Sequence, residues 1–185
     1  QSGYDVNLID ISEQALERAL QVIGKNMDRQ IKKEKITEAD KTAALGRINS
    51  MTEMAAGLAD RDLIIEAATE NEDLKERIFK QIDEAAPEHA ILATNTSSIS
   101  ITRIAAITSR PEKVIGMHFM NPVPVMKLVE IINCYDTDEQ VSKDIVALSE
   151  DLGKVPLAVN DYPGFVANRI LMPMINEAIY TYFEG

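Results

Sequence analysis

The chain is poor in the residues that would tie it to a metal, a membrane or an oxidising compartment. It has one cysteine, Cys134, and two histidines among 185 residues. A single cysteine cannot close an internal disulfide, which points to a reducing, cytoplasmic setting. Cys134 itself reads as a small hydrophobe near a strand end. Two His and one Cys at these spacings make no ligand set, so no metal is expected. No run approaches the roughly 18 apolar residues of a membrane span, and no signal-peptide pattern can be read. Lys and Arg number 19 against 30 Asp and Glu, a formal net charge of −11, which argues against nucleic acid as a partner. There is no internal repeat and no low-complexity segment. Glycine is short where it would matter most. Gly3 is the only glycine before Asp10, so no G-x-G-x-x-G precedes that residue.

What is present alternates. "YDVNLID" (4–10) reads as a strand ending on an acidic residue. An amphipathic helix follows, with Ser12 as N-cap and Leu16, Ala19, Leu20, Ile23 and Met27 at helical spacing. Thr37 caps a shorter helix, and "INSM" (48–51) is a short strand. "DLIIEAA" (62–68) is a continuous apolar run of the kind that suits a parallel strand covered on both faces. A helix over 71–86 stops at Pro87, "AILATN" (90–95) is a strand, and 100–108 a short helix. "KVIGMHF" (113–119) and "MKLVEII" (126–132) are strands separated by Pro122 and Pro124. A helix over 138–152, a strand "VPLAV" (155–159) and a helical stretch from Pro163 complete the pattern. Strand alternating with helix predicts an α/β fold, a mostly parallel sheet with helices on both faces. A boundary falls at "NDYPG" (160–164), giving 1–160 as one domain and 161–185 as the start of another. The last helix carries Phe165, Ile170, Leu171, Met174, Ile175, Ile179 and Tyr182, and a helix that apolar needs partners.

A strand ending in Asp before a helix is the second strand of a mononucleotide-binding half, where the carboxylate accepts from the adenine ribose hydroxyls. The Gly-rich turn belongs roughly 20 residues earlier. Asp10 has only nine residues ahead of it, so the first strand and its glycine loop are expected to be missing from this chain, as is most of the domain that the last helix begins.

Two ionisable residues stand in apolar strands: His118 in "GMHFMNPVPVMKLVEII" (116–132) and Glu130 in the same stretch. A buried charge is costly unless paired. A carboxylate on one ring nitrogen would fix the tautomer of an imidazole that takes a proton on the other. Alone, His118 also fits a satisfied core histidine, Glu130 an exposed strand-edge carboxylate, and Ser97, in "NTSS", ordinary helix-capping chemistry.

Three stretches decide between these readings: "TNTSSISI" (94–101), "GMHFMNPVPVMKLVEII" (116–132) and "PGFVANRILMPMINEA" (163–178). With them the chain strongly resembles the L-3-hydroxyacyl-CoA dehydrogenases, in register from about Tyr4 to Gly185. The resemblance implies a Rossmann-type NAD-binding domain followed by an all-helical domain that forms a homodimer. It implies a reaction that interconverts (S)-3-hydroxyacyl-CoA and 3-ketoacyl-CoA, with a short-chain substrate such as 3-hydroxybutyryl-CoA. His118 matches the catalytic His, Glu130 the carboxylate that orients it, Ser97 the active-site Ser at the substrate oxygen, and Asn168 an Asn that reaches the substrate and the His. Asp10 becomes the ribose ligand, and an acidic residue there favours NAD over NADP. Glu70, Lys75 and Asn121 are assigned to the nicotinamide side and Asn95 and Ser97 to the cofactor, although Glu70 and Lys75 would also fit as solvated charges at a helix start. Lys33, in the basic island "KNMDRQIKKEK" (25–35), sits where the family has a Lys that contacts coenzyme A; its neighbours equally complement a helix C-terminus. The alternatives are a related dehydrogenase of another 3-hydroxy acid, or a non-catalytic nucleotide- or CoA-binding module.

Overall fold

A computed structural model describes residues 1–185 as two compact units, 1–61 with 85–88, and 62–84 with 89–185. In the first, β1 (Val6–Ile9) and β2 (Ile48–Met51) form a parallel pair, with Val6 opposite Ile48 and Ile9 opposite Met51. Between them run α1 (Glu13–Ile31) and α2 (Glu38–Leu45), and α3 (Met54–Leu58) follows β2. Ser12 caps α1 by accepting from Ala15 N–H at 3.2 Å. Thr37 and Asp40 exchange side-chain and backbone bonds in a capping box at α2. Leu16 and Met27 are the buried stripe of α1, and Lys41 of α2 pairs with Asp28 of α1.

The second unit is a five-stranded sheet in the order β3 (Leu63–Glu66), β4 (Ile91–Thr94), β5 (Val114–Phe119), β6 (Leu128–Asn133), β7 (Val155–Asn160). All pairings are parallel except β5 with β6, which is antiparallel. Its helices are α4 (Glu72–Ala85), α5 (Ile101–Ala105), α6 (Glu139–Asp151) and α7 (Ala167–Glu184). Side chains alternate across a strand. Ile115 and Met117 of β5 and Val129 and Ile131 of β6 pack with Val141 and Ile145 of α6 in one fully apolar cluster. Gly116, His118, Glu130 and Ile132 therefore point to the opposite face. There α5 comes close: a Cβ on Gly116 would lie 2.8 Å from Ile132 Cβ and 3.1 Å from Ile101 Cδ1. Only glycine fits at that row.

The fold is the mostly parallel, helix-covered α/β sheet expected of a Rossmann-type domain. Two local features differ from the sequence pattern. The last helix starts at Ala167, not Pro163, because Gly164 (φ 78°) and Phe165 (φ 48°) turn left-handed first. The short α3 was not anticipated; five residues are too few for a helical period to register. Cys134 is buried beside β6. No helix is long and apolar enough to cross a membrane.

Candidate active site

His118 and Glu130 are directly opposite in the β5–β6 register. Both are buried, and His118 Nδ1 lies 2.8 Å from Glu130 Oε2. An ionised carboxylate only accepts, so Nδ1 carries the proton and Nε2 is left as the acceptor. Nε2 faces Ser97 Oγ at 3.1 Å, an arrangement in which the hydroxyl donates to the ring. Ser97 reaches it from the turn between β4 and α5. The geometry thus joins three of the predicted residues in one line: carboxylate, imidazole, hydroxyl.

The second oxygen of Glu130 is also occupied. Oε1 accepts from Val166 N–H at 3.0 Å and Ala167 N–H at 2.8 Å. These are orphan donors at the start of α7, which has no side-chain cap of its own, and a negative charge is favoured there. Asn168, one residue on, is half-buried. It is brought to this end of the sheet by the helix; its side chain makes no bond to His118 or Ser97. Phe165 closes the site from the same turn. It is 3% exposed, and its ring meets the His118 ring edge-on at 5.6 Å and 61°. A non-glycine residue at positive φ is held there only when its surroundings demand it; here they are the dyad beneath Phe165 and the Glu130 bonds that follow it.

Beside the triad lies a second charged cluster. Lys75 is wholly buried and donates to Glu66 Oε1 and Oε2 at 2.8 and 2.9 Å and to the Ala68 carbonyl at 3.1 Å. Glu66 also accepts from the Thr94 hydroxyl at 2.7 Å and from Ala68 N–H at 2.5 Å. Lys75 is therefore no solvated charge. Glu70 is 40% exposed, with Oε2 3.9 Å from Lys75 Nζ, and its Oε1 gathers donors from the Ser97 turn. Burial alone would push the Glu70 carboxyl up, but bonds from Thr96 and Ser98, the Ser97 N–H and the Lys75 charge outweigh it and hold the group below its ordinary value of 4.5. Asn95 Oδ1 accepts from Phe119 N–H at 2.9 Å and locks the ends of β4 and β5 together. Asn121 is exposed just past β5, before a cis bond to Pro122.

Asp10 and Lys33 belong to the first unit. Asp10 is exposed at the carboxyl end of β1, where its Oδ1 accepts from Ser12 N–H at 2.9 Å. Lys33 is exposed just beyond α1. An exposed carboxylate past the end of a parallel strand fits a dinucleotide, since it can accept from ribose hydroxyls there. Sequence reasoning missed Glu66, Thr96 and Phe165. Glu66 carried the same signal as Glu130, a carboxylate inside an apolar strand.

Residues 1–162 match the family described as "3-hydroxyacyl-CoA dehydrogenase, NAD binding domain". A probable 3-hydroxybutyryl-CoA dehydrogenase of Bacillus subtilis is 48% identical over 184 residues, covering all of this chain and 64% of that protein. The human mitochondrial hydroxyacyl-coenzyme A dehydrogenase is 40% identical over 190 residues, covering all of this chain and 60% of its own. The crystal structure of (S)-3-hydroxybutyryl-CoA dehydrogenase from Ralstonia eutropha superposes with a TM-score of 0.96 at 52% identity, covering all of this chain and 65% of that one. The chain thus spans just under two thirds of the length of such relatives. It belongs to the 3-hydroxyacyl-CoA dehydrogenase family, whose NAD-binding domain its residues 1–162 match.

Proposed function

We propose that the protein is an NAD-dependent oxidoreductase interconverting (S)-3-hydroxyacyl-CoA and 3-ketoacyl-CoA. The observation that carries this is an imidazole whose Nδ1 is held by Glu130 and whose Nε2 is open to a hydroxyl. In the oxidative direction, bound NAD supplies the acceptor for the hydride leaving the substrate's C3. His118 Nε2 takes the proton from the C3 hydroxyl, and Glu130 stabilises the imidazolium that forms. The Ser97 hydroxyl hydrogen-bonds the same substrate oxygen, and Asn168 lies on the helix that Glu130 anchors, suited to the same oxygen. In reduction the proton returns from Nε2 to the oxygen.

Asp10 is assigned to the adenine ribose hydroxyls, Asn121, Glu70 and Lys75 to the nicotinamide side, and Asn95 and Ser97 to the cofactor. The burial of Lys75 means that it acts there through Glu66 and Glu70. Lys33 is assigned to a phosphate of coenzyme A. The names of the bacterial relatives favour a short acyl chain, 3-hydroxybutyryl-CoA. Residues 161–185 are assigned to a helical domain that builds the substrate wall and a homodimer. Support comes from Ile170, Leu171, Met174, Ile175, Ile179 and Tyr182, all exposed on α7, since an apolar surface of that extent calls for a partner. Steady-state assay of the intact protein with acetoacetyl-CoA and NADH tests the reading: NADH consumption is expected, and its absence sinks it.

A further inference from the structure

The turn that presents Ser97 is wrapped around a single carboxylate from another segment. Glu70 Oε1 accepts from Ser97 N–H at 3.0 Å, Ser98 N–H at 3.1 Å, the Ser98 hydroxyl at 3.0 Å and the Thr96 hydroxyl. Thr96 is fully buried, and its Oγ1 in turn accepts from Ile99 N–H at 3.0 Å. Without Glu70, the Ser97 amide would lose its acceptor and the Ser98 amide would keep only its longer bond to Thr96 Oγ1 at 3.3 Å, while the Ser97 hydroxyl itself is held by its bond to His118. Glu70 is backed by Lys75, whose own position is set by two bonds to buried Glu66. A continuous chain of contacts therefore runs from the interior pair Glu66–Lys75 through Glu70 to the Ser97 backbone, and from Ser97 Oγ to His118 Nε2.

We infer that Glu70 is a positioning residue for Ser97: its carboxylate holds the 96–98 turn so that the Ser97 hydroxyl is aimed at His118 Nε2 and at the substrate oxygen that shares this site. This rests on the reaction proposed above and goes beyond an assignment of Glu70 to the cofactor. Oε1 is committed to the turn, so any cofactor contact falls to Oε2. A carboxylate that acts only through Ser97 has no effect once the Ser97 hydroxyl is gone.

A double-mutant cycle on the intact protein, with acetoacetyl-CoA and NADH, separates the roles. Glu70→Ala is expected to lower kcat about 10- to 100-fold with the KM for NADH changed by less than about threefold, and in a Ser97→Ala background to add less than about threefold. Glu70→Gln, which keeps an acceptor oxygen for the turn, is expected to recover most of kcat. Full additivity in the double variant, a loss confined to the KM for NADH, or a Glu70→Ala enzyme equal to wild type overturns the inference. Inactive wild-type protein would sink the dehydrogenase reading instead. The positioning claim is then read from crystal structures of Glu70→Ala and Glu70→Gln: Ser97 Oγ is expected to leave hydrogen-bond distance of His118 Nε2 in the first only, and an unmoved Ser97 overturns it.

Discussion

Glu130 faces His118 across the one antiparallel step of the sheet, and its two oxygens serve different elements: Oε2 the imidazole on β5, Oε1 the first amides of α7. Directly opposed residues have Cβ atoms about 5 Å apart, within reach of a carboxylate and a ring. The pairing is thus a property of strand register, and each residue's role can be separated by substitution.

Replacing His118 by Gln removes the proposed base but leaves a neutral polar side chain able to donate to Glu130. Turnover is expected to fall by about 10³- to 10⁴-fold, in line with what general acid–base catalysis contributes. The far-ultraviolet circular dichroism spectrum should be unchanged. Turnover within a factor of ten of wild type removes the base assignment.

Glu130→Gln poses a conflict that the ionised carboxylate avoids. The amide has one acceptor oxygen for two sets of donors. If that oxygen stays with Val166 and Ala167, the NH₂ group faces Nδ1 and drives the ring proton to Nε2, where the acceptor is needed. We expect kcat to fall by about 10²- to 10⁴-fold with little change in the KM for NADH. A variant that loses only cofactor affinity would contradict the orienting role.

The Glu66–Lys75 pair tests burial in the same region. Lys75→Met strips the ammonium from a carboxylate that is 5% exposed, and breaking such a pair typically costs about 3–5 kcal/mol. Adding Glu66→Gln removes the stranded charge and should restore much of that stability. Chemical denaturation measures both. A single variant as stable as wild type would show that the pair contributes nothing.

Acid should release the Ser97 turn late. The folded Glu70 carboxyl lies below its ordinary value of 4.5, so its contribution to stability is complete above that value and is lost as pH falls through the folded one. The stability difference between wild type and Glu70→Gln is therefore expected to stay level from about pH 7 to 5 and to shrink only on further acidification. A difference that grows in acid would reverse the assigned direction.

Much of this arrangement was legible in the chain itself. The apolar runs at 90–95 and 113–119 became β4 and β5 because strands buried on both faces need little else to declare themselves. The run at 62–68 became β3, but at the end of its sheet, where Ile65 is exposed rather than covered on both faces. His118 and Glu130 stood out as ionisable groups in apolar company. Other features were invisible for physical reasons. Lys75 reads as a surface residue because lysine almost always is one; its burial depends on Glu66, nine residues away. The left-handed turn at Gly164 and Phe165 lies in backbone torsions that hydrophobic pattern does not encode. The role of Glu70 depends on four donors clustered some 26 to 28 positions further along the chain.

Gly116 has a last consequence. It sits two residues before His118 on the same face, where even a methyl group would meet Ile132 at 2.8 Å. The gap between β5 and β6 is a ruler whose shortest graduation is a hydrogen atom. An alanine there would leave every acid, base and hydroxyl in place by name, yet pry apart the two strands that carry the imidazole and its carboxylate. A survey of reactive side chains would pass such a variant as intact, although the tolerance of the site had been exceeded from behind.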